Sequence, residues 1–164
     1  MFVVGTTPQK VTKVVEILPQ VTYLSVNRRE LENLHSHFGD KTVNVEIPRI
    51  ERLPEEIVRK AVKVYTLSGV RHLIVTLGEN GVLLVHKEQN GTTNVRHFPA
   101  LRCERIVDVT GAGDGLAAGV IAALLSGRSI SQAIVTGLEV ARTVLQNGGF
   151  SQIGPHLLSP NARL

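Results

Sequence analysis

Short apolar runs alternate with segments of helical period along the chain, and this alternation is the strongest constraint on what it can fold into. A wholly apolar strand needs cover on both faces and a helix with one apolar stripe supplies it, so the pattern specifies a layered α/β domain. Phe2 to Val4 and Val21 to Val26 read as short buried strands, the first followed by a weakly periodic stretch through Val11, Val14, Val15 and Leu18. Pro54 stands at a first helical position with Glu55 and Glu56 behind it. Ile57, Ala61 and Val64 follow at helical spacing, and Gly69 is placed to end the helix. His72 to Leu77 reads as a strand, Gly78 to Gly81 as a turn, and Val82 to His86 as the returning strand, with Val95 to Phe98 beyond an Asn-Gly turn. The last third is helical. Leu116 to Ser126 is apolar on nearly every side, which predicts a buried helix, and Ile130, Ile134, Gly137, Leu138, Ala141 and Leu145 form one stripe of a second. Ser129 and Gln132 have capping-box spacing at its start. With no repeat and no low-complexity linker, residues 1–164 read as one domain.

Composition narrows the function. A chain of 164 residues, 43% of them hydrophobic, can bury one core without disulfides or a structural metal. Cys103 is the single cysteine, which excludes a disulfide within the chain and a cysteine-cluster zinc site and favours a reducing compartment. No apolar run approaches the roughly 18 residues of a membrane span, and Met1 to Lys13 has too short an apolar stretch for a signal peptide; the expected setting is cytoplasmic, with no membrane partner. The net charge is +4, but the basic residues are scattered and only four Phe and two Tyr could stack on bases. Nucleic acid is therefore a poor partner, whereas a phosphate-bearing small molecule suits the charge. Asn90-Gly91-Thr92 has glycosylation spacing and reads better as a hairpin turn. None of the six histidines has a zinc-binding pattern with another ligand; His35 and His37 read as a solvated helix end.

Most of the chemical content lies in the string from Asp108 to Gly119, Asp-Val-Thr-Gly-Ala-Gly-Asp-Gly-Leu-Ala-Ala-Gly. A glycine-rich turn entering a helix presents unobstructed backbone N–H groups at the positive end of the helix dipole, where an anion can sit. Asp114 would repel that anion unless it has work of its own. One reading makes it a base that takes a proton from an attacking hydroxyl while the N–H groups stabilise a transferring phosphoryl group. The other makes it a helix cap, with the glycines serving close packing.

That string resembles the second signature of the PfkB, or ribokinase-like, family of small-molecule kinases: Asp108, small residues at Gly111, Ala112 and Gly113, the acid Asp114, small Ala118 and Gly119, apolar Val120 and Ile121. The resemblance implies a ribokinase-like, Rossmann-like α/β three-layer core with Asp114 as catalytic base and Gly111, Ala112 and Gly113 as an anion hole. Asn27-Arg28-Arg29-Glu30 looks like the family's Asn-x-x-Glu motif, which positions Mg²⁺ and the nucleotide phosphates through water; Asn followed by Glu at this spacing is also an ordinary helix start. Thr76-Leu77-Gly78-Glu79-Asn80-Gly81 looks like the family's ATP-contacting turn, with a plain hairpin as the alternative. By the same resemblance Thr76, Gly78, Gly81 and Asn147 join Asn27 and Glu30 in binding ATP. A monovalent-cation site for K⁺, built mainly from carbonyls, would use Asp108, Thr110 and the stretch from Val144 to Gly149.

Other motif readings fit less well. Gly-x-x-x-x-Gly-Lys-[Ser/Thr] and the His-Arg-Asp and Asp-Phe-Gly strings of protein kinases are absent. Gly113 to Ala118 fits a dinucleotide-binding spacing, but Glu139, at the right distance for the ribose-binding acid, lies on a helix.

The resemblance covers only about the C-terminal half of the family's usual length, and nothing in Met1 to Gln20 resembles its sugar-binding motifs. A partial domain of this kind implies self-association or a complementing N-terminal half, an apolar docking surface near Phe2, Val3 and Val4, and a sugar or nucleoside acceptor bound largely elsewhere. Gly5-Thr6-Thr7-Pro8, Asn27-x-x-Glu30-Leu31, the Val-Thr-Gly-Ala-Gly-Asp-Gly-Leu string and Pro155-His156-Leu157-Leu158-Ser159-Pro160 look most like the pseudouridine kinase branch, implying ATP-dependent phosphorylation of a nucleoside 5′-hydroxyl. Ala162-Arg163-Leu164 is similar to a peroxisomal or glycosomal address when it is the true C-terminus, and is otherwise a chance match.

Overall fold

Five strands, in the order β1-β2-β3-β4-β5, form the mixed sheet of the computed structural model, which describes residues 1–5 and 12–148. They are β1 (Phe2–Val4), β2 (Tyr23–Asn27), β3 (His72–Thr76), β4 (Val82–Lys87) and β5 (Thr93–Phe98). The first three run parallel, and β4 and β5 return antiparallel. The sheet belongs to the first of two compact units, Met1–Pro99; the second is Ala100–Leu164.

Between β1 and β2 the chain forms a 3₁₀ helix, Thr12–Gln20, where the sequence suggested only weak periodicity; Val11 lies outside the described residues. Pro19 has no N–H to give an α-helical ladder, and Val21 closes the segment with an i→i−3 bond to the Leu18 carbonyl, 2.9 Å. That bond keeps Val21 out of the sheet, so β2 begins at Tyr23, two residues later than the apolar run suggests.

Helices α1 (Arg28–His37) and α2 (Glu55–Ser68) cover one sheet face. Leu31, Leu34, Ile57, Val58, Ala61, Val62 and Tyr65 bury against Leu24, Val26, Leu73, Val75, Leu83 and Val85, the alternate residues of the strands. The start of α2 is one residue later than expected, with Pro54 as its N-cap, and it stops where Gly69 takes a left-handed conformation. His37 is exposed at the end of α1, while His35 is only half-exposed. Between α1 and α2 the chain is irregular, yet Val45, Ile47, Ile50 and Leu53 still pack on the core.

The opposite face carries a row of rings set by register: Phe2, Tyr23, His72 and His86 are direct cross-strand neighbours, with centroids 5.7, 4.7 and 5.9 Å apart. Burial lowers the His72 pKa, opposed by the hydrogen bond to the Thr22 carbonyl and reinforced by His86 and Arg71. Burial, with Lys63 and Lys60, also lowers that of His35. The unfolded chain takes up these protons near the ordinary value of 6.5 while the native rings resist, so stability is in place above that pH and is lost as pH falls. The melting temperature should therefore drop between about pH 7 and pH 5.5. A shallower pH slope in His72→Gln checks the cause; an unchanged slope rejects it.

In the second unit α3 (Ala112–Leu125) and α4 (Ile130–Asn147) form an antiparallel-type helix pair packed along their lengths. Leu116, Ala117, Val120 and Ala123 are buried, as are Ala133, Ile134, Leu138 and Val144. The prediction of a helix buried on nearly every side needs correcting, because Leu125 is 84% exposed and Ala122 is also exposed. The expected Ser129–Gln132 capping box starts α4.

Candidate active site

The C-terminal ends of parallel strands are where α/β sheets leave backbone groups and loops free to build a site, and three motif residues meet there. Asn27 ends β2, Thr76 ends β3, and the two are direct partners across the ladder. The Thr76 hydroxyl donates to the Val26 carbonyl at 3.5 Å. Glu30 sits one turn into α1. Its N–H donates to Asn27 Oδ1 at 3.0 Å, while its Oε2 accepts from the Asn27 N–H at 2.8 Å. The helix-start reading of Asn27 and Glu30 is therefore realised as a reciprocal capping box. Glu30 as a whole is only 1% exposed, a burial that a cap alone does not need.

Beyond β3 the turn is narrow. Gly78 has φ 60° and Gly81 has φ 82°, values that L side chains rarely adopt, and the Leu77 N–H donates to the Gly81 carbonyl at 2.8 Å. His97 Nε2 donates to the Asn80 carbonyl at 2.6 Å, bracing the turn from β5. Sequence reasoning missed this brace, which only the β4–β5 register reveals. The contact of Gly5 with the Glu30 carboxylate was equally hidden.

In the second unit Gly111, at φ 80°, is the N-cap of α3, with no side-chain cap. Asp114 is thus not the cap; it stands exposed in the first turn. Helical bonding begins with the Gly115 N–H on the Gly111 carbonyl, 2.8 Å; the Ala112 N–H donates back to the Val109 carbonyl at 3.4 Å, and the N–H groups of Gly113 and Asp114 belong to the first turn, whose donors have no intrahelical acceptor. A Cβ on Gly113 would meet nothing within 4 Å, so there is room at that turn for a group to approach the backbone. Asp108 holds the preceding loop: its Oδ1 accepts from the Thr110 N–H at 2.9 Å and the Thr110 hydroxyl at 2.8 Å. These bonds, the backbone one first, lower its pKa and keep it charged. The Val107 N–H donates to the Leu145 carbonyl at 2.8 Å, laying this loop beside the end of α4. There Asn147 Nδ2 donates to the Thr143 carbonyl of its own helix.

The sequence-predicted residues thus fall into two groups. Asn27, Glu30, Thr76, Gly78 and Gly81 share one end of the sheet in the first unit. Asp108, Thr110, Gly111, Ala112, Gly113, Asp114 and Asn147 belong to the second, where the loop lies against the α4 end; Gly149 falls outside the described residues. A hollow of about 580 Å³ in the first unit, lined by Tyr65, Gly69, Arg71, His72, Lys87 and Thr93, is at the other end of the sheet and contains none of them. Among the described residues no three His, Cys, Asp or Glu side chains cluster as a metal-ligand set, and no helix is long and apolar enough to cross a membrane.

A mixed sheet with the candidate residues at its strand ends, joined in sequence to a glycine loop opening a helix, is the arrangement of an α/β protein whose candidate site lies at the strand ends. Residues 2–156 match the pfkB family of carbohydrate kinases, and the chain belongs to that family. It is 38% identical over 96 residues to a cytidine kinase of Thermococcus kodakarensis, a match covering 57% of this chain and 32% of that one. The ribokinase of Thermotoga maritima has the same fold, with a TM-score of 0.64 and 32% identity over 82% of this chain and 39% of its own. Arabidopsis thaliana ribokinase, complexed with ribose and ATP, gives a TM-score of 0.63 and 26% identity over 82% of this chain and 38% of its own. The ribokinase-like α/β fold expected from the motifs is the one observed, and the chain spans a third to two fifths of the length of these relatives.

Proposed function

We propose that the chain is the nucleotide and catalytic part of an ATP-dependent kinase that phosphorylates a hydroxyl of a sugar or nucleoside. The single observation that carries this is Asp114, exposed in the first turn of α3 beside the backbone N–H groups that open the helix and free of any capping role. An acid placed so can take the acceptor hydroxyl's proton. The acceptor oxygen then forms its bond to the γ-phosphorus, the bond to the β-phosphate oxygen breaks, and ADP leaves. The N–H groups of the Gly111-Ala112-Gly113 turn offset the charge on the transferring group.

The residues fit the nucleotide and its metal in different ways. Open space over Gly113 suits phosphate oxygens, and the tight Gly78–Gly81 turn gives ATP a flat backbone surface. For Mg²⁺ the fit is through water: Glu30 Oε2 accepts from the Asn27 N–H, and the carboxylate so held would orient a metal-bound water rather than the metal itself. Mg²⁺ with ATP supplies the phosphoryl group and neutralises part of its charge. The carbonyls around Thr110 and the end of α4 are the part of the chain suited to K⁺. On this reading the two units act as one partial kinase domain working in the cytoplasm. Ala162-Arg163-Leu164, which bears on a peroxisomal destination, lies outside the described residues.

Pseudouridine, at its 5′-hydroxyl, is the acceptor we favour, on the strength of the motif details. The cytidine kinase relative supports a nucleoside more broadly, and ribokinase likeness keeps ribose in the set. Because the chain spans so little of its relatives, the different-class reading is a nucleotide-binding module without turnover. A phosphorylation assay over pseudouridine, cytidine, adenosine, ribose and fructose 6-phosphate, run with a form complete enough to supply the acceptor half, separates them. Phosphorylated pseudouridine is the expected product, another product reassigns the acceptor, and ATP binding without any product selects the module.

A further inference from the structure

Gly5 closes β1 by donating its N–H to the Ser25 carbonyl at 2.8 Å, and its α-carbon faces the Glu30 carboxyl group. A Cβ at this position would lie 2.6 Å from Glu30 Cδ and 3.0 Å from Oε1, and closer still to Oε2. The backbone does not demand glycine there, since Gly5 is absent from the positive-φ set that includes Gly39, Gly69 and Gly78. What requires it is the room taken by one carboxylate. That carboxylate is the far end of a flexible side chain, so a methyl group at residue 5 would swing it off the Asn27 N–H rather than break the sheet.

We propose that Gly5 is a positioning residue: its missing side chain keeps Glu30 seated where the carboxylate can orient the water shell of a nucleotide-bound Mg²⁺. The inference rests on the role given to Glu30 above and adds a residue two elements away in sequence. Groups that orient a metal's ligands without touching the metal matter at about 10–100-fold in metal affinity. Gly5→Ala should therefore raise the Mg²⁺ concentration needed for half-maximal ADP binding by about tenfold, leaving ADP affinity in EDTA unchanged. A general loosening of the fold would weaken both.

Isothermal titration of the whole chain with ADP, at a series of Mg²⁺ concentrations and in EDTA, tests this on wild type, Gly5→Ala, Glu30→Ala and the double variant. The expected result is a Mg²⁺-specific loss in each single variant and no further loss in the double variant, because without the Glu30 carboxyl a methyl at residue 5 has nothing to displace. If Gly5→Ala folds poorly, the same logic predicts that adding Glu30→Ala restores its melting temperature. A Mg²⁺ defect in Glu30→Ala together with wild-type behaviour of Gly5→Ala overturns this inference alone. An unchanged Mg²⁺ response in Glu30→Ala overturns the role given to Glu30 and the inference with it.

Discussion

Asp114→Asn is expected to lower phosphoryl transfer by about 10²–10⁴-fold in any form of the protein that shows it, the usual contribution of a positioned general base. Nucleotide affinity should stay within a few fold. The amide keeps the size of the carboxyl group and leaves the first-turn N–H groups of α3 in place, so only proton acceptance is removed. The structure makes the substitution informative because Asp114 caps nothing and is exposed, so no helix-capping bond is lost with its charge. Parallel measurement of turnover and of ADP binding decides it. Near-normal turnover in the variant would remove Asp114 from the chemistry.

The second large effect is on the helix pair that carries this residue. At the α3–α4 crossing, Gly119 and Gly137 face one another: a Cβ on Gly119 would lie 2.8 Å from the Gly137 Cα, and one on Gly137 only 2.7 Å from the Leu116 carbonyl oxygen and from Val120 Cγ2. Backbone cannot step aside as a side-chain tip can, so Gly137→Ala must push the helices apart and cost about 1–3 kcal/mol through overpacking. The favourable helix propensity of alanine, about 1 kcal/mol better than glycine, offsets only part of that. Denaturant unfolding should show a lower midpoint with little change in slope, and a midpoint at or above that of wild type would contradict the close packing. Leu116 lies only two residues beyond Asp114, so the same displacement should reduce turnover.

The sequence carried some of these features openly and hid others for physical reasons. Helix α2 was legible because Pro54, the acidic first turn, the apolar stripe and Gly69 are all local signals, and both capping boxes could be read from spacing alone. Local signals also located the glycine loop before Asp114. Pairing across strands is not local. That Asn27 and Thr76 are neighbours follows from the parallel register of β2 and β3, 49 residues apart, and the contact of Gly5 with Glu30 needs that register extended to β1. The stretch from Val45 to Leu53 gave no periodic signal because it packs on the core as irregular chain, its backbone turned by a positive φ of 68° at Arg52. The capping role of Gly111 was not legible because a glycine N-cap makes no side-chain bond to signal it, and Asp114 as the cap was only one of two readings; the left-handed conformation of the glycine settles which residue begins the helix.

The most direct measurement is isothermal titration of the chain with Mg²⁺·ATP, since nucleotide binding is the property on which every other proposal depends. A single saturable site, weakened by EDTA and unaffected by Asp114→Asn beyond a few fold, is the expected result. No detectable binding by the folded wild-type chain at millimolar nucleotide, or binding indifferent to Mg²⁺, would contradict it.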